Sequence, residues 1–321
     1  MHNLFTMMAK PAPLAAPARF DFRQARAFIT VSEDLHFGKA AARLSMAQPA
    51  LSRLIRGLEA AVGVSLFERS TRKVRLTAAG EAFAAECRLA LGHVSRAVSA
   101  AQNAAEGHAG RLRVGYMDFA INGRLPQILQ AFRARHPQVR VDLDYMPTAM
   151  QHAALLEGRI DIAFIIGELE SPKVLNLLVE QDDFVALLPE THPLARQKTL
   201  RTADLANQPF VMGSEDTFSS FRARMFSVCH SAGFFPRIVQ QASNTSGILG
   251  LVAAGVGVTI FAGNIRNLRR AGVVVKPLSD ARQIIPTFAA WVADHPSAVL
   301  QRFRDVLILN AQMNAPTLRP G

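Results

Sequence analysis

The stretch FGKAAARLSMAQPALSRLIRGL, residues 37–58, decides how this chain is read. It has the form of two short helices joined by a tight turn. At 3.6 residues per turn, Leu51, Leu54, Ile55, Leu58 and Val62 share one narrow apolar stripe. Pro49, Ser52, Arg53 and Arg56 fall on the opposite side, with Gln48 at the helix start. The preceding helix places Phe37, Ala40, Ala41 and Leu44 at i, i+3, i+4 and i+7, with small residues where two helices must approach closely. Leu44-Ser45-Met46-Ala47 is the turn, and Pro49 suits a first helical turn, where its missing N–H costs nothing. This is the pattern of a helix-turn-helix, whose second helix lays its first polar residues into a DNA major groove. Gln48 offers a bidentate amide, Ser52 a short hydroxyl, and Arg53 and Arg56 guanidinium forks, the groups that read base edges and clamp phosphates. An ordinary amphipathic helix with a solvated polar face has the same period, so the helix pair alone leaves both readings open.

The flanking residues decide between them. Ala40-Ala41, then Ala47-Gln48-Pro49-Ala50-Leu51-Ser52-Arg53, Ile55, Leu58-Glu59, Gly63, Leu66-Phe67-Glu68-Arg69 and Leu76-Thr77-x-x-Gly80 succeed one another over about sixty residues. In that order they closely resemble the N-terminal domain of LysR-type transcriptional regulators, and the residues after Gly110 are similar to the effector-binding half of the same family. The resemblance implies an α/β multidomain fold: an N-terminal winged helix-turn-helix, a long linker helix, and a two-lobed, periplasmic-binding-protein-like (type 2) effector domain.

Composition agrees with a globular chain that binds a polyanionic partner or an anionic ligand. Of 321 residues, half are hydrophobic and 19% charged, and the net charge is +11. Residues 36–76 carry Lys39, Arg43, Arg53, Arg56, Arg69, Arg72, Lys73 and Arg75 against Glu59 and Glu68, more than half of that excess. These cations do not lie on one long helix with bulky apolar residues opposite, so a membrane surface ranks below DNA as the partner. The two cysteines, Cys87 and Cys229, stand far apart within helical apolar patterns, which favours buried packing residues in a reducing compartment over a disulfide. The histidines form no ligand-spaced cluster, so neither metal nor cofactor is expected. No apolar run reaches the length needed to cross a bilayer. Residues 1–18 lack a basic region ahead of a continuous apolar one, and Pro11, Pro13 and Pro17 interrupt them. They read as a disordered extension of a cytoplasmic protein, with Met7 or Met8 a candidate start.

The rest of the chain divides accordingly. Residues 19–76 form the winged helix-turn-helix, its first helix capped by Asp21 with Phe22, Ala25, Phe28 and Ile29 inward and Arg23 and Arg26 outward. Gly63 closes the recognition helix, and residues 65–76 make a two-stranded wing with Ser70–Lys73 at its tip. Arg69, Arg72, Lys73 and Arg75 are then placed for the sugar-phosphate backbone, where contacts give affinity and register rather than sequence choice. Residues 77–107 read as one long helix with an apolar position every three or four residues, including Cys87, Leu91, Val94 and Val98. By resemblance this is a linker helix that pairs with its copy, giving a homodimer and pairs of dimers; a core helix of the next domain is the other reading. Residues 106–110 are the hinge out of it, and 313–321 a tail.

From Arg111 strands alternate with helices, and residues 110–312 are expected to form the effector domain. Lobe I takes 111–182 and 286–312, and lobe II takes 183–285. Helices are predicted over 125–135, 149–157, 218–232, 244–254 and 297–312. Strands are predicted over 112–116, 139–143, 160–166, 237–241 and 256–260, and the chain is expected to cross to lobe II at 183–188 and to return near 285–291. Ligands of such sheets sit beyond the carboxyl ends of strands, near helix N-termini. That points to Phe119, to Thr148 as a helix cap that can also hold an anion, and to Ser219, Ser220 and Phe221, with Phe164, Ile166 and Thr287 beneath. For each, capping or packing is the plainer role. By resemblance these positions match the inducer site of relatives that answer to small aromatic or aliphatic acids. Phe119 stands where those relatives often have Ser or Thr, which removes a carboxylate donor and narrows the cavity.

No phosphate loop, nucleophile elbow or zinc-protease motif occurs, and Gly255-Val256-Gly257 lies in the wrong order for a dinucleotide site. The chain is therefore expected to be a sequence-specific, effector-controlled transcriptional regulator and not an enzyme. Its expected partners are promoter DNA, a small organic or aromatic acid, further copies of itself and RNA polymerase as a candidate. A two-lobed receptor or enzyme without a DNA role is the alternative.

Overall fold

The computed structural model describes residues 20–69, 74–105, 110–295 and 297–312. The extension at 1–18, the wing tip with Arg72 and Lys73, hinge residues 106–109 and the tail at 313–321 lie outside the described residues. Contacts divide the chain into two compact units, Met1–His93 and Val94–Gly321.

In the first unit α1 (Phe22–Asp34) begins at a capping box. The Gln24 N–H donates to Asp21 Oδ1 at 2.7 Å, and the Asp21 N–H donates to Gln24 Oε1 at 3.0 Å. Ala25, Phe28 and Ile29 are buried, but Phe22 is 59% exposed, contrary to expectation. Side chains on a helix lean toward its N-terminus, so a ring on the first residue projects past the end of the core. Phe20 fills that place instead, its ring 5.6 Å from Phe83. Helix α2 (Phe37–Arg43) is capped by His36, whose Nδ1 accepts from the N–H groups of Gly38 and Lys39. It ends with Ser45 in the left-handed region (φ 52°), the Met46 N–H donating to the Ala41 carbonyl and the Ser45 N–H to that of Ala42. That compact end turns the chain into α3 (Gln48–Val62), which has Pro49 in its first turn and closes on Gly63 (φ 81°). Leu51, Ile55 and Leu58 have no exposed surface. Each such buried side chain contributes about 1.5–3 kcal/mol.

Strands β1 (Phe67–Arg69) and β2 (Val74–Leu76) pair antiparallel, with Glu68 opposite Arg75. Helix α4 (Ala78–Ala105) starts where Thr77 Oγ1 accepts from the Gly80 N–H at 2.9 Å. A side chain at Gly80 would put its first carbon 2.1 Å from the Leu66 carbonyl oxygen, so wing and helix approach as closely as glycine allows. Cys87 lies in the core, and burial pushes its thiol up to about 11.

The second unit begins with β3 (Arg111–Tyr116), α5 (Asp118–Asn122), α6 (Leu125–Arg135), β4 (Arg140–Tyr145), α7 (Thr148–Leu156), β5 (Ile162–Ile166) and β6 (Val174–Asp182). The chain then runs through β7 (Phe184–Pro189), β8 (Pro209–Gly213), α8 (Glu215–Ser231), β9 (Arg237–Ala242), α9 (Thr245–Ala253), β10 (Thr259–Ala262) and β11 (Val273–Pro277). It closes with β12 (Ile285–Val292) and α10 (Ala298–Gln312). A five-stranded sheet runs β4-β3-β5-β12-β6, with β3 parallel to β4 and β5, and β12 antiparallel to β5 and β6. A second sheet runs β10-β7-β11, and β8 pairs with β9 alongside it. We call the parts built on these sheets the first and second lobes. Strands β6, β8 and β11 are not anticipated from the sequence, and β7 and β12 stand where it anticipates only the crossings between lobes. The strand predicted at 256–260 lies instead at Thr259–Ala262, where the antiparallel ladder with β7 runs, while Gly257 passes against the Pro209 backbone.

The first lobe contains a buried ion pair. Arg113 Nη2 lies 2.9 Å from Asp161 Oδ1, the Arg113 N–H donates to Oδ2 at 2.7 Å, and His295 Nε2 stands 3.4 Å from Oδ1. Burial alone would push the Asp161 carboxyl up, but the His295 ring and the Arg113 guanidinium together outweigh it and hold it below its ordinary value. A depressed carboxylate stabilises the fold above its unfolded pKa, and that contribution is lost as pH falls through the folded value. Asp161→Ala is expected to cost about 3–5 kcal/mol at neutral pH by leaving Arg113 unpaired. In urea titrations the gap to the parent protein should close as pH falls below about 4; a gap independent of pH would show that the pair contributes nothing.

Candidate nucleic-acid interface and effector cleft

The buried stripe of α3 fixes which residues face outward. Gln48, Pro49, Arg53 and Arg56 are exposed and Ser52 is half-buried. Arg56 Nε donates to the Ser52 carbonyl at 3.4 Å, so this guanidinium lies back along its own helix. Arg75 is exposed on β2, Arg69 ends β1, and Arg72 and Lys73 fall outside the described residues. Arg43 is already paired, with Glu33 at 2.9 Å and Asp34 at 2.7 Å, so it ties α2 to α1 and offers little free charge.

Two contributions are not visible in the sequence. Arg23 and Arg26 of α1 line a hollow of about 410 Å³ together with Arg43, Ser45, Met46 and Leu54, which adds cations beside the turn. Their outward position is legible from periodicity, but their proximity to the turn is not. Glu59 is the second. Its Oε1 accepts from the N–H groups of Leu66 (2.9 Å) and Phe67 (3.1 Å), fastening the last turns of the recognition helix to the root of the wing.

In the second unit, Met117, Phe119 and Ile166 of the first lobe belong to the apolar cluster that fills the second lobe. The Phe119 ring centroid is 4.8 Å from that of Phe221, 5.2 Å from Phe261 and 6.1 Å from Phe218. Ile166 and Thr287 are buried cross-strand partners at the end of β5. The other candidates are placed differently from expectation. Thr148 is the first residue of α7 and makes no capping hydrogen bond; Pro147 occupies the cap, and the Thr148 hydroxyl lies 3.9 Å from Met117 Sδ. Phe164 packs edge-on to Phe303 in the core of the first lobe; it shares a face of β5 with Ile166 but lies one pleat further back, under α10 rather than at the strand end. Helix α8 starts at Glu215 and is kinked at Phe218 (φ −112°, ψ 19°). Ser219, Ser220 and Phe221 therefore open the segment after the kink, one turn past the first residue of α8. Ser219 is exposed, Ser220 half-buried, and Phe221 alone reaches the apolar cluster.

Polar contacts also cross between the lobes. Asp118 Oδ2 accepts from the Thr245 hydroxyl at 2.6 Å and from the Thr245 N–H at 3.1 Å. Asn264 Nδ2 donates to the Phe119 carbonyl at 2.9 Å, and Asn267 Nδ2 to that of Asn122 at 2.7 Å. Asp182 accepts from the Asn264 N–H, and burial pushes its carboxyl up; the neighbouring Glu180 is raised by burial and then by the Asp182 charge. Arg224 lies against the turn after β5, where a side chain on Gly167 would come within 3.0 Å of its Nη2. Among the described residues no carboxylate pairs with it.

Comparison with known proteins places the chain. Residues 22–81 match the family described as bacterial regulatory helix-turn-helix protein, lysR family, and residues 105–311 match the LysR substrate binding domain. The HTH-type transcriptional regulator AlsR of Bacillus subtilis (strain 168) is 33% identical over 88% of this chain and 94% of its own. The regulator ShiR of Corynebacterium glutamicum (strain R) is 40% identical over 75% of this chain and 82% of its own. Full-length CbnR, solved in complex with its target DNA, is 28% identical, covers 91% of this chain and 100% of its own, and has a TM-score of 0.61. This chain belongs to the LysR family of DNA-binding transcriptional regulators. Among the described residues no helix is long and apolar enough to cross a membrane.

Removing Glu59 would free two backbone donors at the root of the wing, at a cost of about 1–3 kcal/mol. Glu59→Ala is therefore expected to lower the thermal midpoint and weaken DNA binding together. A variant with unchanged stability would show that this link does not hold the wing.

Proposed function

We propose that Gln48, Ser52 and Arg53 read base edges of a promoter operator while Arg56, Arg69, Arg72, Lys73 and Arg75 hold the flanking phosphates. The observation that supports this is the outward polar face of α3, held by Leu51, Ile55 and Leu58 with no exposed surface. Pro49 sets the entry of that helix, and Arg23 and Arg26 add backbone contacts beside the turn. That CbnR was solved on its target DNA supports the same docking for this chain. Control comes from a small organic acid bound between the lobes, close to Ile166, Thr287 and Phe221. The Arg224 guanidinium at the carboxyl end of β5, which no carboxylate pairs among the described residues, suits an acid there. No chemical step and no cofactor is assigned to the protein, which acts in the cytoplasm, with RNA polymerase as the machinery it controls.

The oligomer is a dimer through α4, and two dimers form a tetramer. Val94 and Val98 are 38% and 53% exposed on that helix, whereas Leu91 packs within the first unit. An apolar stripe left open on one long helix is the seam that a second copy covers.

Arg53→Ala is expected to weaken operator binding by about 1–3 kcal/mol and relax preference at one base pair. Arg75→Ala should weaken binding equally on all sequences and reduce the salt slope by about one. Gel-shift titrations on matched and substituted duplexes check both, and a uniform loss in Arg53→Ala would demote it to a phosphate contact. Val94→Glu with Val98→Glu is expected to give monomers in sedimentation velocity; an unchanged profile would remove the seam from α4.

A further inference from the structure

The cleft between the lobes holds part of the chain itself. Helix α5 belongs to the first lobe in sequence, yet its residues are tied to the second at four points. Asp118 takes both the hydroxyl and the N–H of Thr245, the residue that opens α9. Phe119, 2% exposed, stands among Phe218, Phe221 and Phe261. Asn264 and Asn267 take the carbonyls of Phe119 and Asn122. A carboxylate at a helix N-terminus beside a phenyl ring in an aromatic cage is the contact set that an aryl-bearing carboxylic acid would make.

We propose that Asp118 and Phe119 are a built-in occupant of the effector cleft, holding the lobes together where an aryl-substituted carboxylate would otherwise bind. The proposal rests on the reading of that cleft as the effector site. Occupant and ligand exclude one another. An acid carrying a phenyl ring one or two carbons from its carboxylate can take the Thr245 donors and the aromatic cage only if α5 withdraws. Withdrawal breaks all four ties that α5 makes to the second lobe, so ligand binding and lobe movement are coupled. The selectivity of the site is then set by α5, whose removal should widen the response to aryl acids.

The test uses the full-length protein and 3-phenylpropanoate as probe, with calorimetric titration and the thermal midpoint as readouts. Phe119→Ala is expected to bind the probe about tenfold or more tighter than the parent chain, because the cage is empty. Adding Thr245→Val should remove most of that gain. Equal affinity in parent and Phe119→Ala, or a gain that Thr245→Val leaves intact, would overturn the proposal. Asp118→Ala removes the acceptor of both Thr245 donors, leaves the aromatic core in place and guards against a misfolded Phe119 variant. It should lengthen the distance between nitroxide labels on Arg135→Cys and Gln240→Cys, one in each lobe, and an unchanged distance would overturn the latch. If the variants bind the probe as expected but operator affinity ignores it throughout, the built-in occupant stands and the effector reading of the cleft falls.

Discussion

Everything at the DNA-facing end depends on the rotation of one helix about its own axis. Leu51, Ile55 and Leu58 can be buried together only if Gln48, Arg53 and Arg56 point away from the core. Turning α3 by half a revolution would expose three apolar side chains and bury two guanidinium groups without partners, a penalty far larger than the few kcal/mol by which domains are stable. The turn before it and the wing after it hold the same setting. Ser45 accepts a left-handed backbone so that the chain reverses in four residues, and Glu59 fastens the far end to β1.

The effector half works by a different balance. Its first lobe is tied internally by the Arg113–Asp161 pair and by a phenylalanine core around Phe132, Phe164 and Phe303. Between lobes the ties are fewer: a handful of hydrogen bonds and the apolar contacts of Met117, Phe119 and Ile166. Elements joined by a handful of hydrogen bonds and a few apolar side chains can separate at modest cost, whereas the sheets cannot. Asp182 and Glu180 add to this, since two half-buried carboxylates on the crossing strand disfavour full ionisation of both.

How much is legible in the sequence depends on the range of the interactions. The helix-turn-helix, its caps at Asp21 and Gly63, and helix α6 at 125–135 are set by neighbours within a few residues, and the structure has them where periodicity and capping residues place them. Strand β6 escapes a sequence reading because VLNLLVEQD lies at a sheet edge and shows no clean alternation, and β8 because it is a short run behind Pro209. The site residues depend on contacts across many positions. Phe119 reads as a narrowing of the cavity, but nothing local shows that Phe218, Phe221 and Phe261 converge on it. Thr148 has the residue type of a cap, yet Pro147 already supplies the extended backbone that precedes α7. Arg224 has no motif at all; only the turn at Gly167 makes it noticeable.

Equilibrium binding of the full chain to a promoter duplex, measured between about 50 and 200 mM salt, tests the central claim most directly. If the polar side of α3 and the basic residues around it grip the duplex, log affinity falls linearly with log salt, with a slope of roughly −0.9 for each phosphate neutralised. A folded protein whose affinity for double-stranded DNA is absent, or flat across that range, would contradict it.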